Sequence, residues 1–486
     1  MSLNFLIFFS YYFIILISIL GYGYLLLSFE RVNKNFFNFG YVGLVGIFFL
    51  IIYSYLSNIF IAHSKVHNLI FIFTGFLSFL FFIKKYFNLF QTKKNLIFLF
   101  LVFIILFISL LMKKNHDDFQ YYHFPYIYHL TQDSLSFGIG NLNHGFRTPS
   151  SIFYLNSLFY LPLADYYLFN FGSVFILGFT NIILLKKIFD YDDNFRNISN
   201  KVNFVNYLSL LSFVFINIFF YRISEYGTDR AAQILIFILF INLLDDFQNK
   251  SYVKSDLLFI FIVLSLIISL KSFYFLYLIF SIPFFLFYLE KEKSLSSLFK
   301  LIFSIKYFFY LTLTVFFILA SNLNNSGCLL YPISFTCFEN LSWAIPVDSV
   351  SKMNDWYELW SKAGANPNFR VQNPEEYILG FNWVNNWFNQ YFFNKVFDFI
   401  AGISFMVLIF FVIFFKLKKN KNIIKISKFV YLTYLILVII LFEWFYNHPA
   451  LRYGGYCVIA LIIFIPFSFY LNQTYISYQK YSKISL

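Results

Sequence analysis

Two adjacent carboxylates, Asp117 and Asp118, follow a long apolar run and stand near the start of a polar stretch, residues 113–165, that reads KKNHDDFQYYHFPYIYHLTQDSLSFGIGNLNHGFRTPSSIFYLNSLFYLPLAD. A carboxylate placed where the chain leaves hydrocarbon for water can take a proton from a hydroxyl, a general-base contribution of about 10² to 10⁴ in rate. The same pair could instead hold a divalent metal together with His116 or His123, because a hard ion wants several ligands of this kind. As a third reading, the acids are a solvated cap on the loop after Lys113 and Lys114. His144 and Arg147, further along the stretch, are candidate substrate or phosphate contacts.

Three later segments carry the complementary charges. YRISEYGTDRAAQ, residues 221–233, sets Arg222 and Arg230 around Glu225 and Asp229, with Thr228 or Asp229 offering a helix N-cap. An arginine fork bonds two phosphate oxygens at once, so this loop reads either as a phosphate clamp or as an ion-pair cluster that ties itself down. Lys271 sits at the tip of a short hydrophobic hairpin, where it either snorkels to the interface or lines a watery cavity facing a lipid phosphate. EWFYNHPALRYGGY, residues 443–456, brings His448 and Arg452 to a compact glycine turn, as phosphate or acceptor contacts or as an interfacial anchor. A base together with several cations is what moving a group from a phosphate to a hydroxyl requires.

The elements that must position these residues are membrane helices. The chain is 60% hydrophobic and 12% charged over 486 residues, with a mean hydropathy of +0.70. Only helices or closed barrels satisfy their backbone in lipid, and apolar runs of about 16 to 25 residues without alternation select helices. The expected fold is all-α and polytopic, with about thirteen spans near 3–27, 39–62, 68–83, 95–112, 166–185, 203–220, 232–246, 255–270, 273–289, 303–320, 396–415, 428–445 and 454–471. As one helix, residues 255–289 would run about 52 Å, too long for the bilayer core, so the chain must fold back near Lys271. The first run is long enough to span and lacks the features of a cleaved leader.

The net charge of +13 is scattered over short loops, which points to topology and not to a nucleic-acid partner. One alternating set of loops holds 24 of the 36 lysines and arginines and is therefore assigned to the cytoplasm. That places the N-terminus outside, the C-terminus inside, and every segment quoted above on the non-cytoplasmic face. All seven histidines fall in or beside loops of that face.

The chain divides into N-terminal spans (1–94), a core with its large first outer loop (95–320), an outer loop subdomain (321–395) and C-terminal spans (396–486). In the subdomain, Cys328 and Cys337 are spaced to close a small loop on an oxidising face, and a disulfide is expected. Two amphipathic helices follow, over 347–363 and 374–393. They carry tryptophan pairs one turn apart and form either a lid or a raft on the lipid surface.

The order of an early acidic pair, two interfacial helices (residues 118–131 and 148–162) and the segment His144 to Pro149 resembles the GT-C superfamily of membrane glycosyltransferases, here with three spans placed ahead of the core. The resemblance implies a polyprenyl-phosphate-linked sugar donor, a glycan, lipid or protein acceptor, catalysis by Asp117 or Asp118, and a bacterial inner-membrane location. A lipid-linked glycan polymerase or ligase is the alternative. A transporter or flippase fits less well, since its polar residues would sit at mid-membrane in broken helices.

Overall fold

The computed structural model describes residues 3–30, 38–86, 90–111, 118–189, 202–220, 223, 228–249, 254–292, 296, 306–366, 370–415 and 425–473. Among them there is no β-strand, only the isolated bridges Leu161–Asp165 and Cys328–Cys337. Among the described residues eleven helices are long and apolar enough to cross a membrane, and two shorter apolar ones, Phe204–Phe219 and Leu257–Leu270, stand between them in the chain.

Four long helices come first: α1 (Leu3–Phe29), α2 (Phe39–Phe60), α3 (Lys65–Tyr86) and α4 (Phe90–Leu111). Apolar surface alone gives helices little reason to associate in lipid, so close backbone approach has to supply the contact. A Cβ on Gly21 of α1 would fall 1.9 Å from the carbonyl oxygen of Gly75 in α3, so only glycine permits this crossing. On α4, Leu101, Ile104, Ile105 and Ile108 face outward, as a lipid-facing helix requires.

The large loop then folds as a π turn (Phe119–His123) running into α5 (Phe124–Gln132), and α6 (Ser151–Ser157) follows with Ser150 as its N-cap. Ser150 Oγ also donates to the Leu270 carbonyl, which fastens this loop beside Lys271. The buried post of the bundle is α7 (Phe171–Phe189), tied to α8 (Phe204–Phe219) by a reciprocal amide pair, Asn181 and Asn217, at 2.9 Å. Next come α9 (Thr228–Asn249) and α10 (Lys254–Leu270). The chain turns back at Lys271 as expected, through 3-10 turns (Ser272–Phe280) into α11 (Ser281–Glu292).

After α12 (Lys306–Ser326) comes the disulfide Cys328–Cys337, and then α13 (Val347–Lys362). The helix expected over 374–393 is broken: α14 (Pro374–Ile378) stops before Gly380, whose φ of +54° no helix accommodates, and α15 (Val384–Trp387) starts afresh. A π-helical stretch leads into α16 (Phe397–Phe415), and α17 (Lys428–Asn447) and α18 (Gly455–Asn472) complete the chain.

At the corner between α2 and α3, His63 is fully buried, with Ser57 Oγ at 3.0 Å and Ser157 Oγ at 2.7 Å, so it joins this corner to α6. Burial, aided by the nearby His67, lowers its pKa to about 3, against about 6.5 for a free imidazole. Between those values the unfolded chain binds a proton that the folded one excludes, so this contribution is fully present above pH 6.5 and is lost as pH falls towards 3. Going from pH 6.5 to 5, wild type is expected to lose about 2 kcal/mol more stability than His63→Gln. Unfolding in detergent at the two pH values measures it, and equal losses would clear His63 of the role.

Candidate active site

The π turn at Phe119–His123, the start of α9, the end of α10 and the turn between α17 and α18 meet, and each carries or adjoins a charged residue that the sequence singled out. Asp229 lies in the first turn of α9, where a carboxylate complements the helix dipole. Lys271 Nζ donates to Asp229 Oδ1, and Arg452 Nε donates to Asp229 Oδ2 at 3.2 Å. Arg452 Nη2 also reaches Asp118 Oδ2 at 3.6 Å. Asp118, Arg452, Asp229 and Lys271 thus form one continuous chain of opposite charges. Lys271 points into this cluster and does not snorkel away from it.

The Arg452 turn is held from both sides. Gln233, one helical turn beyond Asp229, donates to the Arg452 carbonyl at 3.1 Å and accepts from the Cys457 N–H at 3.2 Å. Gly454 closes the turn at φ +98°, a conformation that suits glycine. Burial works against the charge on Arg452, but Asp229 beside it outweighs that cost and holds the guanidinium above its usual range.

Aromatic rings wall the cluster. Tyr122 Oη donates to Asp118 Oδ2 at 3.3 Å, Lys271 lies over the Tyr453 ring at 5.0 Å, and Arg452 packs between Trp360 and Tyr453, 5.6 Å from each ring centroid. Trp360 comes from α13, and Trp387 Nε1 donates to the Pro449 carbonyl at 3.0 Å, so the tryptophan-bearing segments dock on the Arg452 turn. His448 edges the same group through Phe273 and Tyr453, and burial, then Lys362, lowers its pKa to about 4. It is a neutral imidazole near pH 7.

On the other side of Asp118, His144 Nδ1 is 3.0 Å from Tyr121 Oη and feels both Arg147 and Asp118. Arg147 donates to the Gly140 carbonyl at 3.1 Å and to Tyr331 Oη at 3.0 Å. The charge of Arg230 is felt at Tyr456. His123 is buried against Tyr122 and Phe153. Asp117, His116, Arg222 and Glu225 lie outside the described residues. Among those described, no three His, Cys, Asp or Glu side chains gather as metal ligands. Nothing in the sequence assigns a role to Tyr122, and for Gln233 the one signal is its i, i+4 spacing from Asp229 at a helix start.

Fold and site together define a multi-pass helical membrane protein with an ion-paired, aromatic-walled cluster gathered at one end of its bundle. The chain belongs to the family described as a domain of unknown function, DUF8201, which it matches over residues 5–459. No curated protein and no solved structure matches it.

Proposed function

We propose that this protein is a glycosyltransferase of GT-C-like architecture, which moves a sugar from a polyprenyl-phosphate donor to an acceptor hydroxyl. In this reading the chain makes thirteen spans in a bacterial inner membrane, with its N-terminus outside, its C-terminus in the cytoplasm and the cluster on the outer face. The observation that carries it is the contact between Asp118 and Arg452, a base and a phosphate clamp side by side where helices end.

Asp118 takes the acceptor hydroxyl proton as that oxygen bonds to the anomeric carbon. The bond from that carbon to the donor phosphate breaks, and the phosphate leaves with the electron pair towards Arg452 and Lys271. The link from Arg452 to Asp118, at 3.6 Å, is looser than the one to Asp229, at 3.2 Å. A donor phosphate therefore draws Nη2 away from Asp118 and leaves Asp229 in place, so donor binding frees the base for the acceptor.

Membranes containing the protein, incubated with a panel of polyprenyl-phosphate hexoses and pentoses, are expected to release free polyprenyl phosphate from one donor, read by mass spectrometry. Arg452→Ala is expected to raise the KM for that donor. No release across the panel would overturn the proposal, and an unchanged KM would remove Arg452 as the clamp.

A further inference from the structure

Lys271, Arg452 and Arg147 share one neighbourhood, joined through His144 and Tyr357, but only the first two are balanced. Lys271 and Arg452 share Asp229, and Arg452 also reaches Asp118. Arg147 is held by a carbonyl and a phenol, both uncharged, and no carboxylate among the described residues pairs with it. It is half-buried, so a formal charge sits in a walled position with no counter-charge. A half-buried guanidinium held only by neutral partners keeps its full charge for an incoming anion.

The surroundings of Arg147 also aim it. The disulfide Cys328–Cys337 closes the loop that carries Tyr331, and Tyr331 is buried, with its ring 5.7 Å from the guanidinium. Gly140 holds Nε and Tyr331 holds Nη1, and Nη2 makes no hydrogen bond among the described residues. Tyr357 of α13 is within electrostatic reach of Arg147 and of Arg452, so the two guanidiniums flank one aromatic wall. His144 feels the charges of both Arg147 and Asp118, and burial, then the charge of Arg147, lowers its pKa. The imidazole is therefore a neutral hydrogen-bonding group and does not add charge.

We infer that Arg147 is a second anion subsite, separate from the phosphate clamp at Arg452, which takes a phosphate or carboxylate carried by the acceptor glycan. Asp118 contacts Arg452 and shares His144 with Arg147, so an acceptor anchored at Arg147 presents its hydroxyl to the base while the donor phosphate occupies Arg452 and Lys271. The acceptor is then an acidic saccharide. The assignment to an acceptor rests on the transferase reading; the anion subsite does not.

The full chain, purified in neutral detergent, is titrated separately with inorganic phosphate and with glucuronate, as wild type, Arg147→Gln, Arg452→Gln and Tyr331→Phe. Arg147→Gln is expected to weaken one class of site at least tenfold for one or both probes, while the phosphate site removed by Arg452→Gln persists. The probe affected tells a phosphorylated acceptor from a uronate-bearing one. Tyr331→Phe, which removes a strut and keeps the charge, is expected to bind within threefold of wild type. Binding by Arg147→Gln equal to wild type for both probes would overturn the inference and reduce Arg147 to a strut. Phosphate binding that Arg452→Gln leaves untouched would count against the transferase reading, and the Arg147 subsite would still stand.

Discussion

Asp118→Asn is expected to lower sugar transfer by about 10²- to 10⁴-fold while the protein inserts and melts much as wild type does. The amide keeps the shape of the carboxylate, and its oxygen still accepts from Tyr122, but it takes no proton from an acceptor hydroxyl. Stability is little affected because the ion pair that the amide weakens, with Arg452 at 3.6 Å, lies between side chains about a third exposed; such pairs contribute about 0–1 kcal/mol. Arg452 keeps its bond to Asp229, so donor affinity is expected to hold or improve as competition from Asp118 ends. The measurement is polyprenyl phosphate release together with a thermal midpoint, with Asp117→Asn run alongside. If both variants turn over at wild-type rates, no carboxylate of this pair is the base.

Much of this site was legible because charge is scarce in such a chain. Where 12% of residues are charged, an acid or arginine at a span boundary stands out, and Asp118, Asp229, Lys271 and Arg452 were all visible on that ground. Their meeting at one end of the bundle is what alternating spans impose. The aromatic walls were hidden for the opposite reason. With 39 tyrosines and 77 phenylalanines, the types of Tyr122, Tyr357 and Tyr453 carry no signal, and only packing selects them. Spacing also misled where backbone chemistry intervened: residues 374–393 have helical periodicity, but Gly380 at positive φ ends the first helix and lets Trp383 Nε1 bond back to its carbonyl. The partner of Lys271 was illegible too, since nothing local links residue 271 to residue 229.

That partnership sets the largest stability effect. Asp229→Ala is expected to destabilise the protein by about 3–5 kcal/mol, because the side chain removed is the mostly buried anion on which two cations depend. Without it Lys271 and Arg452, both still partly exposed, repel each other, and the one carboxylate among the described residues still in contact is Asp118, which Arg452 would then occupy. Activity should fall with stability, for the base is sequestered as well as the clamp disordered. Lys271→Met in the same chain removes one of the two stranded charges and is expected to restore part of the loss, so that the double variant is more stable than Asp229→Ala alone. Detergent melts of the two single variants and the double variant give that coupling directly. Strictly additive losses would mean that Lys271 and Asp229 are neighbours without being partners, and the ionic chain from Asp118 to Lys271 would end at Arg452.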